Sequence, residues 1–157
     1  MRTAGILEQP KSHEWTTPIE LFQQLDAEFN FQLDAAASAE NALCQHFFTK
    51  EMDGLAWPWA GWGPVWLNCP YGTQIGRWVQ KSYEEAQKGA IVVMLIPART
   101  ETRYWHDFVM RAAEIRFIRG RLRFSGATVN APFPSAVVVF RPGWFGKPLI
   151  SAMDAPR

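Results

Sequence analysis

Apolar side chains at Ile19, Leu21, Phe22, Leu25 and Phe29 recur at the spacing of one helix face. Ahead of them, Thr17-Pro18-Ile19-Glu20 reads as an N-cap Thr, a Pro at the first helical position and a Glu at N3, so a helix is predicted over 18–29. Phe31-Gln32-Leu33-Asp34 alternates as a short strand that ends on an acidic residue and runs into Ala35-Ala36-Ala37-Ser38. Residues 39–44 then predict a short helix and 45–48 a strand, before a loop rich in Trp, Pro and Gly. Val65-Trp66-Leu67 is the next clear strand, and it ends at Asn68. Over 74–88, Ile75, Trp78, Val79, Tyr83 and Ala86 share a helix face, with Gly89 placed as the stop. The run Ala90 to Ile96 is continuously apolar and closed by Pro97, as in a central parallel strand covered on both faces. A helix over 101–113 and strands over 114–118 and 136–140 complete the pattern. Such alternation predicts an α/β fold with a mostly parallel sheet and flanking helices. Ligands of such sheets sit at the carboxyl ends of the strands, where Asp34 and Asn68 both fall.

Composition narrows the class. A length of 157 residues fits a single domain, 1–157, with 1–14 and 143–157 expected as flexible ends. At 48% hydrophobic and 20% charged residues the chain is an ordinary globular sequence, which excludes extended disorder. The run from Ile91 to Ile96 is far short of the roughly 20 residues needed to span a bilayer. No signal-peptide-like apolar stretch opens the chain, and Cys44 and Cys69 do not make a disulfide framework, so a cytoplasmic, reducing setting is expected. Cys44 and His46 have no second closely spaced pair of ligands, so no metal is expected. The 8 tryptophans read mainly as core and loop packing. The net charge of +1 conceals a division: residues 1–78 carry four basic against nine acidic side chains, and residues 79–157 twelve against six. One basic face for a polyanion is therefore compatible with a neutral total.

The chemistry begins at Asn68-Cys69-Pro70-Tyr71, on a strand end. An exocyclic amine on an aromatic base is a poor nucleophile because its lone pair is delocalised, so methylating it requires acceptors for its two hydrogens. An Asn side-chain oxygen and the carbonyl of the next residue, held by a rigid Pro, supply two such acceptors, and a Tyr ring can stack on the base. This tetrapeptide resembles the Asn/Asp/Ser-x-Pro-Tyr/Phe motif of amino-group methyltransferases. With Trp15-Thr16-Thr17-Pro18, Leu33 to Ser38, Leu95 to Arg99 and Gly120 to Phe124, the stretch from Trp15 to about Arg141 resembles the phage-type DNA N6-adenine methyltransferases of the Dam family.

The resemblance implies a Rossmann-like class I methyltransferase fold, S-adenosyl-L-methionine as cofactor, double-stranded DNA as partner, and a bacterial or phage-infected cell as setting. It implies that Thr16, Thr17 and Pro18 contact the methionine end of the cofactor. Asp34, Ala36 and Ser38 then stand in the cofactor loop, and Asp53 contacts the cofactor's adenine. Asn68 and the Cys69 carbonyl polarise the target amine, with Pro70 as the rigid element and Tyr71 as the stacking ring. No metal and no covalent intermediate are needed. Two features depart from the family pattern: the Gly-rich turn after Asp34 is replaced by three alanines and a serine, and Cys69 stands where Pro is common. Other readings of the same residues are an amino-methyltransferase acting on RNA or on a protein glutamine, and a methyltransferase-like DNA-binding module without turnover.

The arginines supply a face for DNA. Arg119, Arg121 and Arg123 alternate, which puts three guanidinium groups on one side of an extended segment, and Arg99 and Arg103 flank the end of the buried strand. Target recognition is expected from the loops at 39–64 and 119–135, since the chain is too short for a separate recognition domain.

Overall fold

A computed structural model describes residues 15–156. The expected flexible end at 1–14 lies outside the described residues. The first helix, α1, runs Ile19–Phe29 and buries Leu21, Phe22, Leu25 and Phe29. It stops at Asn30, which takes a left-handed conformation and donates its N–H to the Asp26 carbonyl, while the Asp26 carboxylate accepts the Phe31 N–H at 2.8 Å. Two short strands follow, β1 (Leu33–Asp34) and β2 (His46–Phe47), then a single 3-10 turn at Gly54–Ala56 and β3 (Val65–Leu67). Residues 39–44, predicted as a helix, are turns instead. Helix α2 spans Ile75–Gln87, and Gly89 at φ 113° provides its predicted stop. After it come β4 (Val92–Pro97), α3 (Arg103–Asp107), β5 (Glu114–Arg119), β6 (Ser135–Phe140) and β7 (Leu149–Asp154).

The strands form one seven-stranded sheet in the order β2-β1-β3-β4-β6-β5-β7. It is mixed: β6 runs antiparallel to both β4 and β5, and the remaining neighbours are parallel, so six strands run one way and one is reversed. All six residues of β6 are buried, so its sequence reads like that of a parallel central strand and its direction leaves no trace in the pattern. What permits the reversal is the connection from β5 to β6, which needs no crossover helix when the two strands pair antiparallel.

Alternation along the central strands divides the core into two layers. Val92, Met94 and Ile96 pack with Trp78, Val79 and Ala86 of α2 and with Trp105 of α3. Val93 and Leu95 pack on the opposite face with α1, Phe124 and Phe133. Two expectations are corrected. The helix predicted over 101–113 ends at Asp107 and gives way to a 3-10 turn at Val109–Arg111. The expected loose end at 143–157 contains β7, which pairs parallel with β5 from Glu114↔Leu149 to Arg119↔Asp154. Five of its six side chains are exposed, so it carries no burial pattern to be read.

Candidate active site

From β1 the chain moves to one side to form β2 and then returns past β1 to form β3 on the other. Strand order reverses at this point, and a crevice opens at the carboxyl ends of the two flanking strands. A cavity of about 750 Å³ occupies it, within the usual size of a small-molecule site. Its walls include Asp34 at the end of β1 and the loop through Asn41, Asp53 and Gly54 at the start of the 3-10 turn, Trp15 through Thr17 ahead of α1, and Asn68 through Pro70 after β3. The predicted cofactor residues Thr16, Thr17, Asp34, Ala36, Ser38 and Asp53 therefore share one wall system with Asn68. Pro18 is buried just behind it, at the start of α1.

Thr17 does not cap α1. Pro18 holds the cap position and no side chain caps the helix. The Thr17 hydroxyl instead accepts from Asn68 Nδ2 at 2.9 Å, joined by the Trp15 carbonyl, which accepts from the same amide nitrogen. Ser125 fastens this segment from the other side, donating its N–H to the Thr16 carbonyl and its hydroxyl to the Thr17 carbonyl, both at 2.9 Å. A local Thr-Pro pattern thus serves a contact far along the chain.

Asp34 is 3% exposed and accepts backbone N–H groups from Leu43 at 3.1 Å and Ala36 at 3.4 Å. Burial outweighs these bonds and pushes its carboxyl up to about 6. A buried carboxylate with its affinity for protons raised, on the wall of a cavity, is the electrostatic signature of a ligand site. Burial also pushes the thiols up, Cys44 to about 12 and Cys69 well above the ordinary range, so neither serves as a thiolate nucleophile. Cys69 is 1% exposed, and among the described residues no group donates to its carbonyl.

Tyr71 follows Pro70 after β3. It does not line the cavity, whose aromatic walls are Trp15, Trp66 and Trp78. Its ring meets Phe124 and Phe133 edge-on, at centroid distances of 6.2 and 5.8 Å. The hydroxyl lies 2.6 Å from Asn68 Oδ1 and 2.9 Å from the Leu95 carbonyl.

The arginines fall into two groups. Arg119, Arg121 and Arg123 are exposed while Leu122 and Phe124, which alternate with the last two, are buried, so three guanidinium groups face solvent. Arg119 reaches Asp154 at 3.6 Å, with both side chains 80% exposed, a geometry worth little. Arg99 and Arg103 are exposed beyond the end of β4. Arg116, in contrast, is engaged by Glu28 and Glu114 over the Phe29 ring.

Two supporting residues escape sequence reasoning. A Cβ on Gly54 would stand 2.2 Å from the Ala35 carbonyl, so the loop bearing Asp53 can approach the cofactor-side loop only through a glycine. Glu85, fully buried in α2, receives the N–H groups of Trp59 and Ala60 together with the ammonium groups of Lys81 at 3.5 Å and Lys88 at 3.3 Å. Its spacing from Trp78 and Ser82 on the buried helix face was the available signal.

The fold and crevice define an α/β protein with a cavity of small-ligand size at a sheet switch point, beside an Asn-x-Pro-Tyr strand end. A family model described as DNA N-6-adenine-methyltransferase (Dam) matches residues 6–146, and the chain belongs to this family. It is 35% identical over 109 residues to a DNA N-6-adenine-methyltransferase of Escherichia phage T1, a match covering 69% of this chain and 45% of that protein. It is 29% identical over 120 residues to a protein of the same name from Haemophilus phage HP1, covering 75% of this chain and 69% of the relative.

Proposed function

We propose that the protein is an S-adenosylmethionine-dependent methyltransferase that modifies the N6 amino group of adenine in double-stranded DNA, on a Rossmann-like class I fold. The observation that carries this reading is the meeting of Asn68 and Asp34 on one crevice, 34 and 68 being the two strand ends of the switch point. Family membership and the names of the phage relatives support the substrate. The six strands that run one way, with β6 reversed among them, support the fold.

The residues fit the cofactor. S-adenosylmethionine supplies an electrophilic methyl group on a sulfonium centre, and a cationic ligand relieves the cost of the buried Asp34 carboxylate. Thr16 and Thr17 line the cavity with Asn68, Pro18 follows them at the start of α1, the loop from Asp34 to Ser38 lines the same cavity, and Asp53 adds an exposed carboxylate. Alanines in place of the glycines of the usual turn leave this loop with small side chains at Ala36 and Ala37. Asn68 Oδ1 and the Cys69 carbonyl accept the hydrogens of the adenine amine, concentrating charge on nitrogen as it attacks, and Pro70 fixes the backbone that presents both. Cys69 keeps the carbonyl that a Pro would supply, so the acceptor pair is complete. Arg121 and Arg123 take DNA phosphates, with Arg99, Arg103 and Arg119 on the same duty. Among the described residues no helix is long and apolar enough to cross a membrane, in keeping with work on DNA in the cytoplasm.

The test is transfer of a labelled methyl group to duplex DNA, RNA and protein, with Asn68→Ala as control. Label in adenine of duplex DNA, lost in the control, is the expected result. Label confined to RNA or protein would move the substrate assignment. Reversing charge at Arg121 and Arg123 is expected to weaken DNA binding and reduce its salt slope by about one per lost phosphate contact, measured by titration at several salt concentrations.

A further inference from the structure

We infer that Tyr71 acts through its hydroxyl as a positioning residue that locks the Asn68 amide. The inference rests on the function proposed above and concerns how its acceptor is held. The Asn68 amide has one end that donates and one that accepts. The Trp15 carbonyl can only accept, so the amide nitrogen must point to it and to Thr17 Oγ1, which it reaches at 2.9 Å. The oxygen end is then fixed toward Tyr71 Oη at 2.6 Å. That hydroxyl also lies 2.9 Å from the Leu95 carbonyl, another pure acceptor. A phenol has one proton, so it bridges the two acceptors, tying the end of β3 to β4 at the catalytic motif. Burial holds the phenol well above its ordinary range, so it remains a donor.

Asn68 Oδ1 has two lone pairs, and Tyr71 occupies one. The other stays available to an incoming amine, in an amide that cannot rotate because both its ends are engaged. The T-shaped packing of Tyr71 against Phe124 and Phe133 serves the same end, since it holds the ring where the hydroxyl reaches. An acceptor already oriented needs no reorganisation when charge develops on the substrate.

Tyr71→Phe keeps the ring and removes only the hydroxyl. The expected result is a fall in kcat of about tenfold, with KM for duplex DNA and S-adenosylmethionine affinity unchanged. In an Asn68→Ala background the same change should cost little more, because the group it positions is gone. Wild-type kcat in Tyr71→Phe, or equal losses in both backgrounds, would overturn the inference. A second readout is independent of turnover. In ¹⁵N-labelled protein the Asn68 side-chain NH₂ protons should be protected from solvent exchange and should exchange faster in Tyr71→Phe, where the amide is free to swing; unchanged protection would refute the lock even if the protein methylated no DNA. Absence of DNA methylation by the wild type, with the amide behaving as expected, would instead fault the proposed function.

Discussion

Among the described residues two carboxylates are buried, and their surroundings have opposite effects on them. Burial pushes Glu85 up, but the N–H groups of Trp59 and Ala60 and the ammonium groups of Lys81 and Lys88 outweigh it, and its carboxyl lies below the usual range. Asp34 has two longer backbone bonds and no cationic partner among the described residues, and its carboxyl is pushed up to about 6. The clamp at Glu85 is completed by the chain itself, fixing the Trp-rich loop onto α2. The carboxylate at Asp34 is left with its charge uncompensated beside a cavity. Burial alone does not mark a functional carboxylate; burial without a counter-charge, next to space for a ligand, does.

Removing each carboxylate is the sharpest trial of that contrast. Glu85→Ala leaves two buried N–H groups and two ammonium groups without their partner, and should destabilise the fold by about 3–5 kcal/mol in urea titration. Asp34→Asn should do the reverse. A rise from 3.8 to about 6 corresponds to about 3 kcal/mol of unfavourable charge burial at pH 7, so the variant is expected to gain up to that amount while losing affinity for S-adenosylmethionine in calorimetry. Destabilisation by Asp34→Asn, or unchanged cofactor affinity, would collapse the distinction between the two sites.

The same contrast has a pH signature. Asp34 holds its proton more tightly folded than unfolded, so its unfavourable contribution is absent below 3.8, grows as pH rises, and is complete above about 6. Glu85 has its carboxyl lowered, so its stabilising contribution is present above 4.5, the ordinary glutamate value, and is lost as pH falls through the lower folded value. Unfolding measured between pH 4.5 and 7 should therefore show a flatter decline with rising pH in Asp34→Asn than in the wild type, whereas Glu85→Gln should differ in slope from the wild type only below pH 4.5, where it should lose less stability on acidification. The smallest effect belongs to Thr17→Val, which removes one acceptor of the Asn68 amide. A stability loss of about 0.5–1.5 kcal/mol, with the helix content of α1 preserved in circular dichroism, is expected because Thr17 does not cap that helix.

Elements with a strong period were legible in the chain: α1, α2 and the all-buried β4 follow their apolar positions closely. The placement of Asp34 and Asn68 on one crevice was legible too, because strand ends converge in any such sheet. Other features depend on partners distant in sequence. Thr17 and Pro18 satisfy the local grammar of a capped helix, and only the fold reveals that the hydroxyl serves Asn68. Tyr71 reads as a base platform, and only the fold reveals that its hydroxyl reaches Asn68 and the Leu95 carbonyl. The direction of β6 is invisible because a strand covered on both faces looks the same either way, and β7 is invisible because its Leu149 and Ile150 are exposed.

The contact at Gly54 sets a rule for engineering this protein. Because any Cβ there would collide with the Ala35 backbone, and Trp78 closes the space behind it at 3.3 Å, a mutational library that reshapes the crevice should diversify Ala36, Ser38 and Asp53 while holding position 54 constant. Variants recovered with a side chain at 54 should carry a compensating shift of the loop after β1, and so an altered ligand preference rather than a merely weaker one.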